Sequence, residues 1–249
     1  MKHTDGWLEF RHTKARGTSR LYRQGWFPDG EPRAAILLVH GLGEHSGRYE
    51  NLARQCNCCG FAVHALDHYG HGKSAGLSGH VERFSVYLDG VRELLARVKE
   101  EQPGVPFLLL GHSMGGLIAA SFLREAQAEF KACVLSGPAL KSDAAPPAIV
   151  LWINRLISAL APTVPMTALD PAGVSRDPEV VRAYVSDPLF NHGKVTARLI
   201  AEMVAAMKEA LAHAAEVGMT LLVLHGEDDV LTSPEGSREF HARAASDDK

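Results

Sequence analysis

The chain has 249 residues, 26 Lys and Arg against 29 Asp and Glu for a formal net charge of −3, and 46% hydrophobic against 22% charged residues. This is the balance of a folded globular protein; it excludes disordered and collagen-like classes and argues against an obligate nucleic-acid binder, which carries a basic excess. No apolar run reaches the roughly 18 residues that a bilayer span needs, and four cysteines (Cys56, Cys58, Cys59 and Cys133) are too few to staple a chain this long.

Residues 1–16 are mixed and charged, without an apolar signal core, which argues against secretion and fits thiols kept reduced. Residues 7–10 and 19–26 suggest an antiparallel hairpin at one sheet edge. Then come apolar runs without alternation: Ala34–Val39, Phe61–Leu66, 107–110, 132–135 and 219–224. Strands buried on both faces of a parallel sheet look like this. Between them lie helical periodicities. Phe84, Tyr87, Val91, Leu94, Leu95 and Val98 recur at steps of three and four, with Ser85 able to cap the start. Leu199, Ile200, Met203, Val204, Met207 and Leu211 do the same, with Gly218 in the position of a C-terminal cap. Strand and helix in alternation mean an α/β fold with a mostly parallel sheet flanked by helices.

The alternation breaks between Gly137 and Val195, a stretch holding eight of the 13 prolines. It reads as an inserted cap or lid, so the expected organisation is a core over 1–137, a cap over 138–195 and the rest of the core over 196–249. Within the cap, 148–160 is strongly apolar with one charge, Arg155. It can line a binding site while touching lipid, serve as buried cap core, or form an oligomer contact.

Gly111-His112-Ser113-Met114-Gly115 matches G-x-S-x-G, with a strand running in and a buried helix running out. That context holds a serine on a sharp, strained turn with small residues on either side, its hydroxyl exposed at the carboxyl edge of the sheet. Ser113 is therefore the candidate nucleophile. An oxyanion hole needs two backbone N–H groups, one from Met114 and one from the glycine-rich loop His40-Gly41-Leu42-Gly43, with Leu42 the expected donor. A carboxylate to orient the base should follow a late strand. His225-Gly226-Glu227-Asp228-Asp229 follows 219–224 directly, and the spacing favours Asp229 over Asp228.

These blocks carry a resemblance. His40-Gly41-Leu42-Gly43-Glu44-His45-Ser46-Gly47-Arg48-Tyr49, Asp67-His68-Tyr69-Gly70-His71-Gly72-Lys73-Ser74, Gly111 to Gly116 and Gly226 to Asp229 resemble the monoacylglycerol lipase family of the α/β-hydrolase superfamily, from about Trp7 to Lys249. The resemblance implies a cytoplasmic or membrane-peripheral serine hydrolase that cleaves a monoacylglycerol to fatty acid and glycerol. It also implies that the cap is a lid with apolar residues facing an acyl tunnel, so Ile149, Trp152 and Ile153 join Gly41 and Leu42 as candidate substrate contacts. The implied partner is a small-molecule lipid ester, with peripheral membrane contact through the lid. The rivals are a lysophospholipase, carboxylesterase or thioesterase on the same scaffold, and a lipid-binding protein without catalysis.

One element of the pattern is missing. The order in this fold is Ser, Asp, then His on a loop after the last strand. A helix, a turn and a strand need roughly 25–30 residues, yet 20 follow Asp229. The one histidine among them, His241, falls inside a helix that Ser233 and Pro234 should start and that should run to about Ala245, badly placed to reach Ser113. The expectation is that the last strand and the histidine loop lie beyond Lys249, and that the 249-residue chain turns over weakly. The C-x-C-C at Cys56–Cys59 lacks a partner pair for zinc, the Asp67–Gly72 loop reads as a structural turn, and no phosphate loop or dinucleotide fingerprint is present, so no metal or cofactor is expected.

Overall fold

In the computed structural model, which describes residues 1–11, 18–142, 148–168 and 170–249, Lys2–Arg11 (β1) and Thr18–Phe27 (β2) pair as the expected hairpin. The following elements alternate: Ala34–Val39 (β3), Glu50–Cys58 (α1), Phe61–Leu66 (β4), Ser85–Glu101 (α2), Phe107–His112 (β5), Met114–Ala126 (α3) and Phe130–Ser136 (β6). Next come Ala148–Leu160 (α4), the short Pro165–Thr167 (β7), Pro178–Ser186 (α5) and the two-residue Val195–Thr196 (β8), which pairs with β7. Ala197–Ala212 (α6), Thr220–Leu224 (β9) and Pro234–Arg243 (α7) complete the described elements. The residues 143–147, with Pro146 and Pro147 of the proline-rich stretch, lie outside them.

The seven-stranded sheet has the order β1-β2-β4-β3-β5-β6-β9; β4, β3, β5, β6 and β9 are parallel and the hairpin joins antiparallel through β2. Strands joined by helical crossovers come out parallel, and their carboxyl ends collect on one edge. All six residues of β3 are buried. On one face α2, α3 and α6 pack Leu37, Leu109, Leu117, Leu123 and Leu199 into the main core; on the other, α1 covers Ile36, Leu38 and Val63. Burial on both faces does not extend to β9, where Leu222 and Leu224 are 50% and 52% exposed. This strand forms the rim of the sheet, and its Leu221 N–H donates to the Asp248 carbonyl at 2.9 Å, which lays the end of the chain beside it.

Three local details differ from the sequence reading. Ser85 does not cap α2: Phe84 is the N-cap and Ser85 the first helical residue. Gly218 does not close α6, which ends at Ala212; its N–H donates to Gln127 Oε1 instead. Ser233 does precede α7, with Pro234 in its first turn, but its hydroxyl makes no cap bond and the helix stops at Arg243. α4 turns Asn154 and Ser158 inward, where Asn154 Nδ2 donates to the Ala197 carbonyl and the Arg198 guanidinium donates to the Ser158 carbonyl. Ile149, Val150, Trp152, Ile153, Leu156 and Leu160 consequently face out.

Candidate active site

Ser113 sits between β5 and α3 with φ 54° and ψ −120°, and it is the one non-glycine residue at positive φ among the described residues. Such a conformation costs about 1–3 kcal/mol and persists when its surroundings fix it. They do: its N–H donates to the Ser136 carbonyl at 3.0 Å, and its own carbonyl accepts from Leu117 at 3.1 Å and Ala139 at 2.9 Å. Close approach explains the flanking glycines. A Cβ on Gly115 would drive into the carbonyl oxygens of Val39 and His40, and one on Gly111 would stand 2.8 Å from Ala119 Cβ. Met114 begins α3, so its N–H has no acceptor within the helix. The helix also turns its positive end towards the serine.

The glycine loop after β3 meets the same turn, since a Cβ on Gly41 would lie 3.2 Å from Ser113 Cβ. Glu44 pins this loop. Its Oε1 accepts from the Gly41 N–H and from the Tyr49 hydroxyl, each at 2.6 Å, and Arg48 Nε lies 3.3 Å from Oε2. Burial would raise the Glu44 carboxyl, but the nearby His112 and His40 and the bonds from Tyr49 and Gly41 hold it below its ordinary range. The sequence reading used Glu44 only as part of a motif. Its signal was a carboxylate three residues after a glycine whose amide needs an acceptor. Asp67 fixes the neighbouring loops likewise, taking the Ser46 N–H and hydroxyl on Oδ1 and the Lys73 N–H on Oδ2.

Two cavities meet at Ser113, and Leu42 lines both. One, about 150 Å³, has a mixed wall, polar at Glu44, Arg48, His112, Asp229 and Thr232 and apolar at Val180, Phe190 and Leu231. The other, about 660 Å³, is walled largely by Leu140, Val195, Ile200, Met203, Met207 and Leu211. The apolar stripe of α6 thus provides much of the larger wall, a role the sequence reading gave to α4. Ile149, Trp152 and Ile153 line neither cavity and are 61%, 61% and 43% exposed, because α4 rests on α6 through Asn154 and Ser158. Gly41 and Leu42 do lie at the serine.

Asp229 faces the smaller cavity, while Asp228 points outward and pairs with Arg176. The Asp229 Oδ1 accepts the Leu231 and Thr232 N–H groups at 2.8 and 2.9 Å, and Oδ2 accepts the Thr232 hydroxyl at 2.9 Å. Partial burial would raise its carboxyl, but these bonds and His225, whose Nε2 lies 3.4 Å from Oδ2, lower it. The His225 ring is itself engaged by the Ser237 hydroxyl at 2.6 Å and the Thr232 carbonyl at 3.1 Å. His241 lies on α7 and borders neither cavity. Among the described residues no histidine is hydrogen-bonded to the Ser113 hydroxyl, and no group of His, Cys, Asp or Glu is arranged to hold a metal ion.

Residues 30–249 match the Hydrolase_4 family, described as serine aminopeptidase, S33. A monoacylglycerol lipase of Mycolicibacterium smegmatis is 38% identical over 232 residues, 93% of this chain and 83% of that protein. The chain belongs to the monoacylglycerol lipase family of α/β-hydrolases. The human monoglyceride lipase is 32% identical over 92% of this chain and 76% of its own length. A solved structure of this lipase family, from Paleococcus ferrophilus, superposes with a TM-score of 0.83 at 32% identity, covering 92% of this chain and 86% of that one.

Proposed function

We infer that the chain is a serine hydrolase cleaving the ester of a monoacylglycerol to fatty acid and glycerol through an acyl-enzyme. The observation that carries this reading is the pair of unequal cavities at one hydroxyl: a large apolar one for an acyl chain, and a small one of mixed lining in which Glu44, Arg48, His112 and Thr232 offer polar groups to a polyol. The relatives named as monoacylglycerol and monoglyceride lipases support the same substrate. In this mechanism Ser113 attacks the ester carbonyl, and the Leu42 and Met114 amides stabilise the oxyanion. A base between Ser113 and Asp229 takes the serine proton and returns it to the leaving glycerol, with Asp229 holding the base in the right tautomer. Water then releases the fatty acid.

We also read 138–195 as a cap between the two parts of the core, 1–137 and 196–249, and α4 as its contact with a lipid surface. Ile149, Trp152, Ile153, Leu156 and Leu160 all stand exposed on it, as on an interfacial helix. No helix of the described residues is long and apolar enough to cross a membrane. The four cysteines are free, which supports a reducing, cytoplasmic setting for a protein that visits lipid from one side.

The test is a substrate panel together with Ser113→Ala. Release of fatty acid from monoacylglycerols should exceed release from lysophospholipid and acyl-CoA, and should vanish in the variant. A clear preference for lysophospholipid would overturn the substrate assignment, and activity surviving in Ser113→Ala would overturn the nucleophile.

A further inference from the structure

Behind the glycine loop, outside both cavities, three buried polar atoms have no hydrogen-bond partner among the described residues: His68 Nδ1, His71 Nε2 and Tyr87 Oη. The residues are 1%, 3% and 1% exposed. Their rings form a triangle, with centroids 6.1 Å apart for His68 and His71, 5.5 Å for His68 and Tyr87, and 6.1 Å for His71 and Tyr87. Buried polar atoms are nearly always satisfied, by protein or by ordered water.

The other ring nitrogens fix what these atoms need. His68 Nε2 lies 3.2 Å from the His40 carbonyl oxygen, an acceptor, so Nε2 carries the proton and Nδ1 is a bare lone pair. His71 Nδ1 lies 3.1 Å from the Tyr69 carbonyl oxygen, so there Nδ1 is protonated and Nε2 is bare. Burial lowers both imidazoles below their ordinary range and raises the Tyr87 phenol, so the rings are neutral and the phenol keeps its proton. The site therefore presents two acceptors and one hydroxyl. Tyr87 alone can serve only one of the two nitrogens. A single water matches this set in number and kind, with two protons for the two nitrogens and an oxygen for the phenol O–H, within the two to four partners that buried waters have.

We propose that His68, His71 and Tyr87 bind one internal water, and that Tyr87 acts through it as a positioning residue for the loop that carries the Leu42 amide. The relay is short. His68 grips His40 twice, its N–H donating to His40 Nε2 at 3.0 Å and its own Nε2–H to the His40 carbonyl. His40 Nδ1–H in turn meets the Gly41 carbonyl at 2.8 Å. The orientation of the His68 ring thus sets the peptide just before Leu42.

The experiment is ¹⁵N-histidine and backbone NMR of the 249-residue protein, with a crystal structure fine enough to show ordered water. The expected result is the Nε2–H tautomer of His68, the Nδ1–H tautomer of His71, and a solvent peak within hydrogen-bonding distance of all three atoms. Tyr87→Phe should shift the His68 Nδ1 resonance and the Gly41 and Leu42 amides, while Phe84→Leu, which loosens the neighbouring ring without removing a hydroxyl, leaves them in place. The three atoms packed directly together, a metal ion at the centre, or the opposite tautomers would overturn the water site. Gly41 and Leu42 amides that stay put in Tyr87→Phe, or move equally in Phe84→Leu, would overturn the positioning role.

Discussion

Ser113 and Asp229 line the same small cavity, and the Gly137 turn lies beside the carboxylate, where a Cβ on Gly137 would stand 3.6 Å from Asp229 Oδ2. The carboxylate is ionised and held by three donors, and the Ser113 hydroxyl in the same cavity meets no histidine among the described residues. A flat, neutral donor–acceptor between them would complete the proton path.

Added imidazole should fill that role. The expected outcome is a rise in ester hydrolysis by the 249-residue protein that saturates with imidazole, within the roughly 10²–10⁴ that a positioned general base supplies. Ser113→Ala, which retains only the reaction of imidazole in solution, is the background to subtract. Asp229→Asn should weaken the gain, because the ring N–H then loses its charged acceptor. A strictly linear dependence, equal in the protein and in Ser113→Ala, rules the idea out.

Stability should fall with acid over a defined range. Burial lowers His40 from 6.5 to about 3 and His64 from 6.5 to about 4. Below about pH 6.5 the unfolded chain binds protons that these folded rings refuse, so their contribution is complete above that pH and declines towards their folded values. Each should add a slope of about 1.4 kcal/mol per pH unit. Urea unfolding at pH 7, 6 and 5 measures it, and His64→Gln should remove one proton's worth. An unchanged slope in that variant refutes the assignment.

The larger cavity should set acyl-chain length. Met203→Trp narrows its apolar wall, and each methylene that can no longer be buried forfeits about 0.8 kcal/mol. The ratio of kcat/KM for long-chain over short-chain monoacylglycerols is expected to fall at least tenfold, with the short-chain value kept. Equal losses on both would point to general damage instead.

The outward face of α4 should govern adsorption to lipid. Replacing Trp152 and Ile153 together by Ser is expected to reduce co-sedimentation with phosphatidylcholine vesicles at least tenfold, since both side chains offer exposed apolar area. Hydrolysis of a water-soluble ester should be untouched. Unaltered vesicle binding removes α4 from this role.

The central strands were legible because their chemistry is continuous: Ala34–Val39 and Phe61–Leu66 are apolar throughout and lie between turn residues, so pattern and structure coincide to the residue. The elbow was legible because the turn at φ 54° leaves no room for a Cβ two residues to either side of Ser113, at Gly111 and Gly115, which is the G-x-S-x-G spacing. α4 was not. It is apolar nearly all round, and hydropathy does not tell which side meets a neighbour; the informative residues were the polar pair Asn154 and Ser158, four apart, which take the inner face. The stripe Ile200, Met203 and Met207 announced a buried face without saying that part of it borders a cavity. Glu44 was hidden for another reason: a carboxylate three residues after Gly41 becomes informative only once the Gly41 amide is seen to point at it.

If the smaller of the two cavities that meet at Ser113 takes the polyol and the larger one the acyl chain, as proposed, the two products have no need to leave together. On that assignment glycerol leaves from the smaller cavity while the acyl group stays bonded to Ser113 beside α6, and the space the alcohol vacates is open to the incoming water. The acyl-enzyme sets the order of the cycle, alcohol out, water in, fatty acid last, and the division of space fits that order.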